Sequence, residues 1–95
     1  MERSARFDWD QHNLGHIALH HVEAHEVEEV LANGPIHIET RLDPKSGEER
    51  ILELGHTRAN RVLFVAWTQR GALIRPVTAF DANRKTRADY QRRLE

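Results

Sequence analysis

The chain has 95 residues, no cysteine, and 14 Lys and Arg against 15 Asp and Glu. This length predicts a single domain over residues 1–95, and the missing cysteine excludes disulfides and thiolate metal sites, as is usual in a reducing cytoplasm. Because residues 1–6 carry charges and no apolar stretch, and the longest apolar run is only residues 62–67, we expect neither secretion nor a membrane span.

Two helices are predicted at the start of the chain. The first covers residues 11–20, with Asp10 as its N-cap and apolar side chains on one face. His21 would end this helix, because histidine accepts the left-handed conformation at modest cost. The second covers residues 24–32, also with one apolar face, and is stopped by the Asn-Gly-Pro sequence at residues 33–35.

Four strands and a final helix follow. Apolar and polar alternation with intervening turn residues indicates strands over residues 36–42, 50–55, 61–68 and 73–79. The third is apolar on both sides, which predicts the central position in the sheet. Pro76 in the fourth has no N–H group and indicates an edge strand or a bulge. Asn83 would cap a helix over residues 84–93. The predicted fold is therefore α+β, a four-stranded antiparallel sheet with two N-terminal helices and one C-terminal helix.

The chain has seven histidines, which is many for its length. His12, His16 and His20 lie four residues apart on one helical stripe, where two imidazoles could bind a metal. No H-E-x-x-H frame and no third ligand at a fixed offset accompany them, so we expect a solvated helix face and no metal site. His20, at the end of the helix, is also a candidate proton shuttle, because imidazole titrates near neutral pH.

The C-terminal segment is rich in arginine. Arg84, Arg87 and Tyr90 share one broad face of the last helix, where guanidinium groups can bind phosphate and a tyrosine ring can stack on an unpaired base. The alternative is a solubilising amphipathic helix that buries Tyr90. Arg75, in the fourth strand, either reaches an acidic partner or points into a cleft. Arg61, at the start of the third strand, is a further candidate of this kind.

Charge is divided unevenly along the chain. Residues 1–55 carry 5 Lys and Arg against 12 Asp and Glu, a balance of −7, whereas residues 56–95 carry 9 against 3, a balance of +6. This asymmetry suggests one surface for a polyanion and another for a basic partner, unless both halves are ordinary solvated surface.

The order of these features resembles the BrnT family of toxins over nearly the whole chain, from Phe7 to Tyr90. The opening block of the resemblance comprises residues 7–10, His12, Asn13, residues 17–18, His20 and Val22. The closing block comprises Arg75, Thr78, Ala79 and the basic helix that ends in Tyr90. Between the two blocks, Gly55 and residues 61–65 resemble the middle strands of the family.

The resemblance implies a RelE-like fold and a toxin of a type II toxin–antitoxin system. Such a toxin is a metal-independent endoribonuclease that cleaves mRNA and needs no cofactor. The implied partner is a BrnA-like antitoxin with a ribbon-helix-helix domain, so DNA would be contacted only through the antitoxin. The implied catalytic residues are His20 as acid/base and Arg75 and Arg87 as stabilisers of the phosphate. Arg61, Arg84 and Tyr90 are the implied RNA contacts. We expect folding to gather His20, Arg75 and Arg87 in one pocket that suits an anion.

Three positions depart from the family pattern in a way that bears on the chemistry. Leu19 stands where Lys or Arg is common, Phe80 where Arg is common, and Thr86 where Glu is common. Cleavage by a 2′-hydroxyl needs a base, a cation for the developing charge and an acid for the leaving oxygen. The alternative hypothesis is therefore a catalytically weakened BrnT-like binding module that acts mainly in a repressor complex of antitoxin and operator.

Overall fold

The computed structural model describes residues 6–94. The secretion prediction depends on residues 1–6, and all of these except Arg6 lie outside the described residues. Two helices precede four strands, and a third helix follows them. The elements are α1 (Gln11–Ala18), α2 (Ala24–Ala32), β1 (Ile36–Leu42), β2 (Glu49–His56), β3 (Val62–Arg70), β4 (Leu73–Asp81) and α3 (Arg84–Arg93). The α+β class and the order of elements predicted from the sequence are confirmed. No described helix combines the length and the apolar composition that crossing a membrane requires.

The strands form one sheet in sequence order, β1-β2-β3-β4, and every neighbouring pair is antiparallel. β3 therefore lies between two strands, as its two-sided apolar pattern predicts. β4 is at the edge of this sheet, apart from an isolated bridge between Phe7 and Ile74. Its pairing with β3 shifts between Ala66 and Trp67, so that Pro76 lies beside a bulge. Both locations suit a residue without an N–H group, which confirms the prediction for Pro76.

Helices cover the two faces of the sheet unequally. α1 and α2 pack on one face, over the larger core cluster of Ile17, Val22, Val27, Val30, Leu63, Val65 and Ala79. α3 covers only one end of the other face, where Tyr90 packs with Leu54, Val62 and Ala82. Beyond that end the second face is only partly buried, and we call it the open face. The open face comprises Leu52, Phe64, Ala66, Thr78 and Phe80.

The start of α1 is fixed to β4 by a buried amide. The Asp10 carboxylate accepts hydrogen bonds from the N–H groups of His12 and Asn13 at 3.0 and 3.1 Å, as predicted for an N-cap. The Asn13 side chain is 1% exposed and accepts from the Asp10 N–H at 2.9 Å. Its amide group donates to the carbonyls of Asp8 and Pro76 at 3.0 and 2.9 Å. One side chain thus joins α1, the segment before it and β4.

The end of α1 is set by His21, as predicted. His21 has a positive φ of 57°, and the Val22 N–H donates to the Ile17 carbonyl at 3.1 Å. This is the bond that closes a helix ending in a left-handed residue. The helix itself stops at Ala18, two residues earlier than predicted, because the chain is already turning. His20 therefore lies in the turn after α1, one residue before the left-handed His21.

α2 lies unusually close to β2 at Gly55. A Cβ atom at this position would lie 2.9 Å from Val30 Cγ1 and 3.3 Å from the Val30 carbonyl oxygen. Contacts this short would push the helix away from the strand. The absence of a side chain at Gly55 thus lets the core side chains of α2 reach the sheet.

Candidate functional site

Arg61 is the most highly connected charged residue at one end of the sheet. Its guanidinium donates to both carboxylate oxygens of Asp81 at 2.9 Å and to Glu26 Oε1 at 3.0 Å. It also donates to the backbone carbonyls of His20 and His21 at 3.3 and 2.9 Å. These bonds use the donors that phosphate binding would need. Arg61, expected to contact RNA, is instead engaged in holding the turn after α1 against β3 and β4.

Asp81, at the end of β4, lies among positively charged groups. The Arg61 guanidinium, hydrogen-bonded to Asp81, holds the pKa of this carboxyl below its usual range. The positive charges of Arg87 and His20 lower the Asp81 pKa further, because both groups lie near it. Asp81 therefore stays ionised at neutral pH, and the charges of both His20 and Arg87 act on it at the end of β4.

The His20 ring contacts an aromatic pair on the open face. Its centroid lies 5.9 Å from that of Phe80, and Phe80 in turn stacks on Phe64 with centroids 5.5 Å apart and planes inclined by 30°. Sequence reasoning treated Phe80 only as a missing cation and overlooked Phe64. The strand alternation that places Phe64 on the side of Val62 was the signal that could have found it. We call His20, Arg61, Phe80, Asp81 and Arg87 the His20 cluster.

The first turn of α3 carries two exposed arginines, Arg84 and Arg87, of which Arg87 belongs to the His20 cluster. Lys85 and Arg92 on the same helix both pair with Asp89. Within residues 6–94, neither Arg84 nor Arg87 enters an ion pair, and both side chains are exposed. A guanidinium without a protein partner can bind a phosphate bidentately. Arg84 and Arg87 are therefore accessible, and their binding of phosphate stays a prediction.

Tyr90 occupies a different environment from the one predicted for an RNA contact. It is 2% exposed and packs in the smaller core cluster, and its hydroxyl lies 2.8 Å from His56 Nδ1. Burial raises the pKa of the Tyr90 hydroxyl. A ring in this position offers no face to a base. The helix spacing that groups Tyr90 with Arg84 and Arg87 places it at the inner border of that face, where it packs against the sheet.

Arg75 lies at the opposite end of α1 from His20. Its guanidinium pairs with Asp10, the N-cap of α1, at 3.0 Å and with Asp8 at 3.5 Å, and its side chain is 13% exposed. It lines a cleft of about 270 Å³ together with His12, His16, Asn13, Glu48, Arg50, Thr68, Arg70, Pro76 and Val77. The expected single pocket of His20, Arg75 and Arg87 is therefore not formed. The bulge at Pro76 and the docking of α1 along β4 keep Arg75 at the other end of the helix.

The histidine stripe is divided in the same way. The His12 and His16 rings lie edge to face with their centroids 6.3 Å apart, whereas the His20 ring contacts Phe80. Among residues 6–94, no group of three His, Cys, Asp or Glu side chains is arranged to hold a metal ion.

The His20 cluster suits a phosphodiester substrate. It combines an exposed imidazole with the exposed guanidinium of Arg87, next to the partly exposed rings of the open face. Such a site can bind a phosphate and transfer a proton. Because Asp81 is ionised and bonded to Arg61, it is not a proton donor at neutral pH.

Comparison with known families agrees with this chemistry. A sequence model of the family described as "Ribonuclease toxin, BrnT, of type II toxin-antitoxin system" matches residues 9–86, most of the chain. No curated protein sequence matches the chain at a significant level. The matched span contains Asp10, His20, Arg75 and Phe80, and it ends within α3.

Proposed function

Because the chain belongs to the BrnT family of ribonuclease toxins of type II toxin–antitoxin systems, we propose that it is an endoribonuclease that cleaves mRNA in the cytoplasm without a metal or another cofactor. The observation that carries this proposal is the contact of the His20 ring with Phe80 on the open face, beside Asp81, whose pKa is also lowered by the charge of the exposed Arg87 guanidinium. An acid/base group and a phosphate-binding group are the minimum that RNA cleavage requires.

The proposed reaction is an attack of the RNA on itself. The 2′-oxygen bonds to the adjacent phosphorus and gives up its proton, while the bond from phosphorus to the 5′-oxygen breaks and that oxygen takes a proton. The products are a 2′,3′-cyclic phosphate and a 5′-hydroxyl. His20 exchanges protons in this reaction, since imidazole can accept and donate near neutral pH. Arg87 stabilises the charge that builds up on the phosphate, and Arg84 contacts the strand one helical turn away.

Three of the residues predicted to act on RNA have supporting roles in this proposal. Arg61 positions His20 through the backbone of its turn, Arg75 anchors the start of α1, and Tyr90 supports α3 from below. Each of them is engaged with protein partners, so its replacement should change stability together with activity.

The nuclease proposal is tested by incubating purified protein with a mixed RNA pool in the presence of EDTA. The wild-type protein should cut the RNA. His20→Ala and Arg87→Ala should each slow cutting by about 100-fold or more, because each removes a group that acts on the reacting phosphate. Their Tm values should change little, since both side chains are exposed.

Lys85→Ala is the matched control for these variants, because Lys85 is an exposed cation on the same helix that pairs with Asp89. Its cleavage rate should stay close to that of the wild type. Unchanged cutting by both His20→Ala and Arg87→Ala would eliminate the assigned roles. Cutting that needs an added metal ion would eliminate the metal-independent mechanism.

A second candidate function is a binding module with little nuclease activity. The observation that favours it is that Asp81, the carboxylate of the His20 cluster, is bonded to Arg61 and stays ionised, so it cannot act as the acid of a two-group mechanism beside His20. Phe80 also favours a binding module, because this residue stands where the family commonly has an arginine. Expression without a partner separates the two functions, since growth arrest supports the nuclease and normal growth supports the binding module.

We also propose a BrnA-like ribbon-helix-helix antitoxin as the partner, with operator DNA contacted only through it. The acidic N-terminal half, with its balance of −7 over residues 1–55, would suit a basic segment of such a protein. α2 contributes to this charge with Glu26, Glu28 and Glu29. Co-expression with the neighbouring reading frame should give a complex that purifies intact. Recovery of the chain alone after co-expression would contradict this pairing.

A further inference from the structure

The open face carries an aromatic pair at the end that borders the smaller core cluster. Phe64 of β3 and Phe80 of β4 are directly opposite each other in the strand register, and their rings are stacked at 5.5 Å. Phe64 packs against the smaller core cluster, whereas Phe80 lies further towards the sheet edge, where its ring meets that of His20. Three rings thus follow one another from the core to the imidazole.

The stack is accessible because α3 covers so little of this face. α3 contributes Tyr90 to the cluster of Leu54, Val62 and Ala82, which occupies one end of the face. Phe64 and Phe80 both remain partly exposed. A cross-strand aromatic pair stabilises a sheet by itself, by about 0.2–1 kcal/mol. That contribution does not require the rings to be accessible, nor one of them to lie against an exposed imidazole.

We infer that Phe80, supported from behind by Phe64, is a stacking surface for one unpaired nucleobase of the RNA whose phosphate is bound at His20 and Arg87. This inference rests on the proposed nuclease function and adds to it a contact with the base. Aromatic rings on an open sheet are a common means of holding single-stranded RNA, because every base has a face that can stack. The neighbouring Arg84 and Arg87, exposed and outside any ion pair among residues 6–94, suit the sugar–phosphate chain that carries the base.

The position of Phe80 gives this contact a consequence for specificity. Its ring contacts both the His20 imidazole and Phe64, and it remains partly exposed. A base stacked on Phe80 is therefore held beside the group that transfers the proton. Stacking selects for unpaired nucleotides and favours bases with larger faces, so cleavage should prefer single-stranded sites with a purine at the stacked position.

The experiment measures binding without cleavage. Single-stranded 2′-O-methyl oligonucleotides of about ten residues have no nucleophilic hydroxyl and span a typical site for such a surface. A parallel series replaces one base at a time with an abasic position. Affinities of the wild-type protein, Phe80→Leu, Phe80→Trp and the control Phe7→Leu are compared by fluorescence anisotropy. Phe7→Leu removes a partly buried ring from a residue whose backbone forms a bridge to Ile74, at the other end of β4 from Phe80.

Phe80→Leu should weaken binding of the intact oligonucleotide about tenfold, while Phe80→Trp and Phe7→Leu should retain it. One abasic position should weaken binding to the wild-type protein by a similar factor. The same abasic position should make no further difference to Phe80→Leu, because the two partners of one contact have then both been removed.

The inference is overturned if the wild-type protein binds no oligonucleotide, or if Phe80→Leu binds as tightly as the wild type. It is also overturned if Phe80→Leu weakens intact and abasic oligonucleotides equally, since Phe80 then only supports the sheet. Selective loss of antitoxin binding in Phe80→Leu would assign the face to a protein partner instead.

The result is separable from that of the nuclease test. Base-dependent binding without any cleavage would support the stacking surface and contradict the proposed nuclease activity. A cleavage rate that is unchanged in Phe80→Leu would support the nuclease activity and contradict the stacking surface.

Discussion

Arg61 and Asp81 form a two-point ion pair, with Nε to Oδ1 and Nη2 to Oδ2 both at 2.9 Å. The same guanidinium also bonds the carbonyls of His20 and His21 and the carboxylate of Glu26. A planar group with five N–H donors can serve these acceptors together, whereas a lysine ammonium cannot. The pair therefore fastens the turn that carries His20 to the end of β4.

Arg61→Lys should lower the free energy of unfolding by about 1–2 kcal/mol, although it keeps the charge. The lost bonds to His20 and His21 should also lower kcat for RNA cleavage more than they raise KM, because the imidazole is no longer held in place. Chemical denaturation and steady-state kinetics provide the two measurements. Arg70→Lys is the matched control, since the Arg70–Glu48 pair is more exposed and should contribute little. Equal effects of the two substitutions would show that the extra bonds of Arg61 are unimportant.

Asp81 predicts a specific dependence of stability on pH. Its pKa is lower in the folded state than the unfolded value of about 3.9, so the unfolded chain binds more protons in that range. The contribution of Asp81 is thus complete above about pH 5 and is lost as the pH falls through the unfolded and then the folded pKa. Asp81→Asn should be less stable than the wild type at pH 7, by about 1 kcal/mol because the carboxylate is 55% exposed. Thermal unfolding from pH 7 to pH 2.5 should show the difference shrinking at the acid end. A difference that stays constant over this range would contradict the ion pair as its source.

Tyr90→Phe distinguishes a buried support from an RNA contact. The substitution removes the hydroxyl that lies 2.8 Å from His56 Nδ1 and should cost about 1 kcal/mol of stability. RNA affinity and cleavage at a temperature well below Tm should stay at the wild-type level, because the ring keeps its place in the core. A large loss of RNA affinity with an unchanged Tm would restore Tyr90 to the RNA-binding surface.

Gly55→Ala should destabilise the protein by about 1–3 kcal/mol, because the new methyl group would lie 2.9 Å from Val30 Cγ1. Gly15→Ala is the control, since Gly15 lies within α1 and has no heavy atom within 4 Å of the added Cβ. That change should raise stability by about 0.5–1 kcal/mol through better helix propensity. Thermal unfolding of the two variants should therefore shift in opposite directions. A shift of both in the same direction would contradict the close approach of α2 to β2.

Local signals explain how much of the fold could be predicted from the sequence. The caps at Asp10 and Asn83 and the left-handed residue His21 each act within a few residues of themselves, so the sequence alone reveals them. Pro76 likewise restricts its own strand to an edge or a bulge. These features were enough to define the elements and their order.

The candidate site depends on contacts between distant parts of the chain, which explains what could not be predicted. Arg75 is fixed by Asp10, 65 residues earlier, and that pairing follows from how α1 lies along β4. Spacing on α3 could place Tyr90 with the arginines but could not decide which border of that face would turn inwards. Phe80 fell one residue beyond the predicted strand over residues 73–79, whereas β4 extends to Asp81, and its exposure depends on how little of the sheet α3 covers.

α1 is attached to β4 at both ends, by Asn13 to the Pro76 carbonyl at its start and by the turn at His20 through Arg61 to Asp81 at its end. The eight residues of the helix therefore set the separation between two fixed points on one strand. One inserted residue would rotate the far end by about 100° and extend it by about 1.5 Å. His20 would then leave Phe80, or one attachment would break. Changes in chain length should accordingly be tolerated at the β1–β2 turn and rejected within α1.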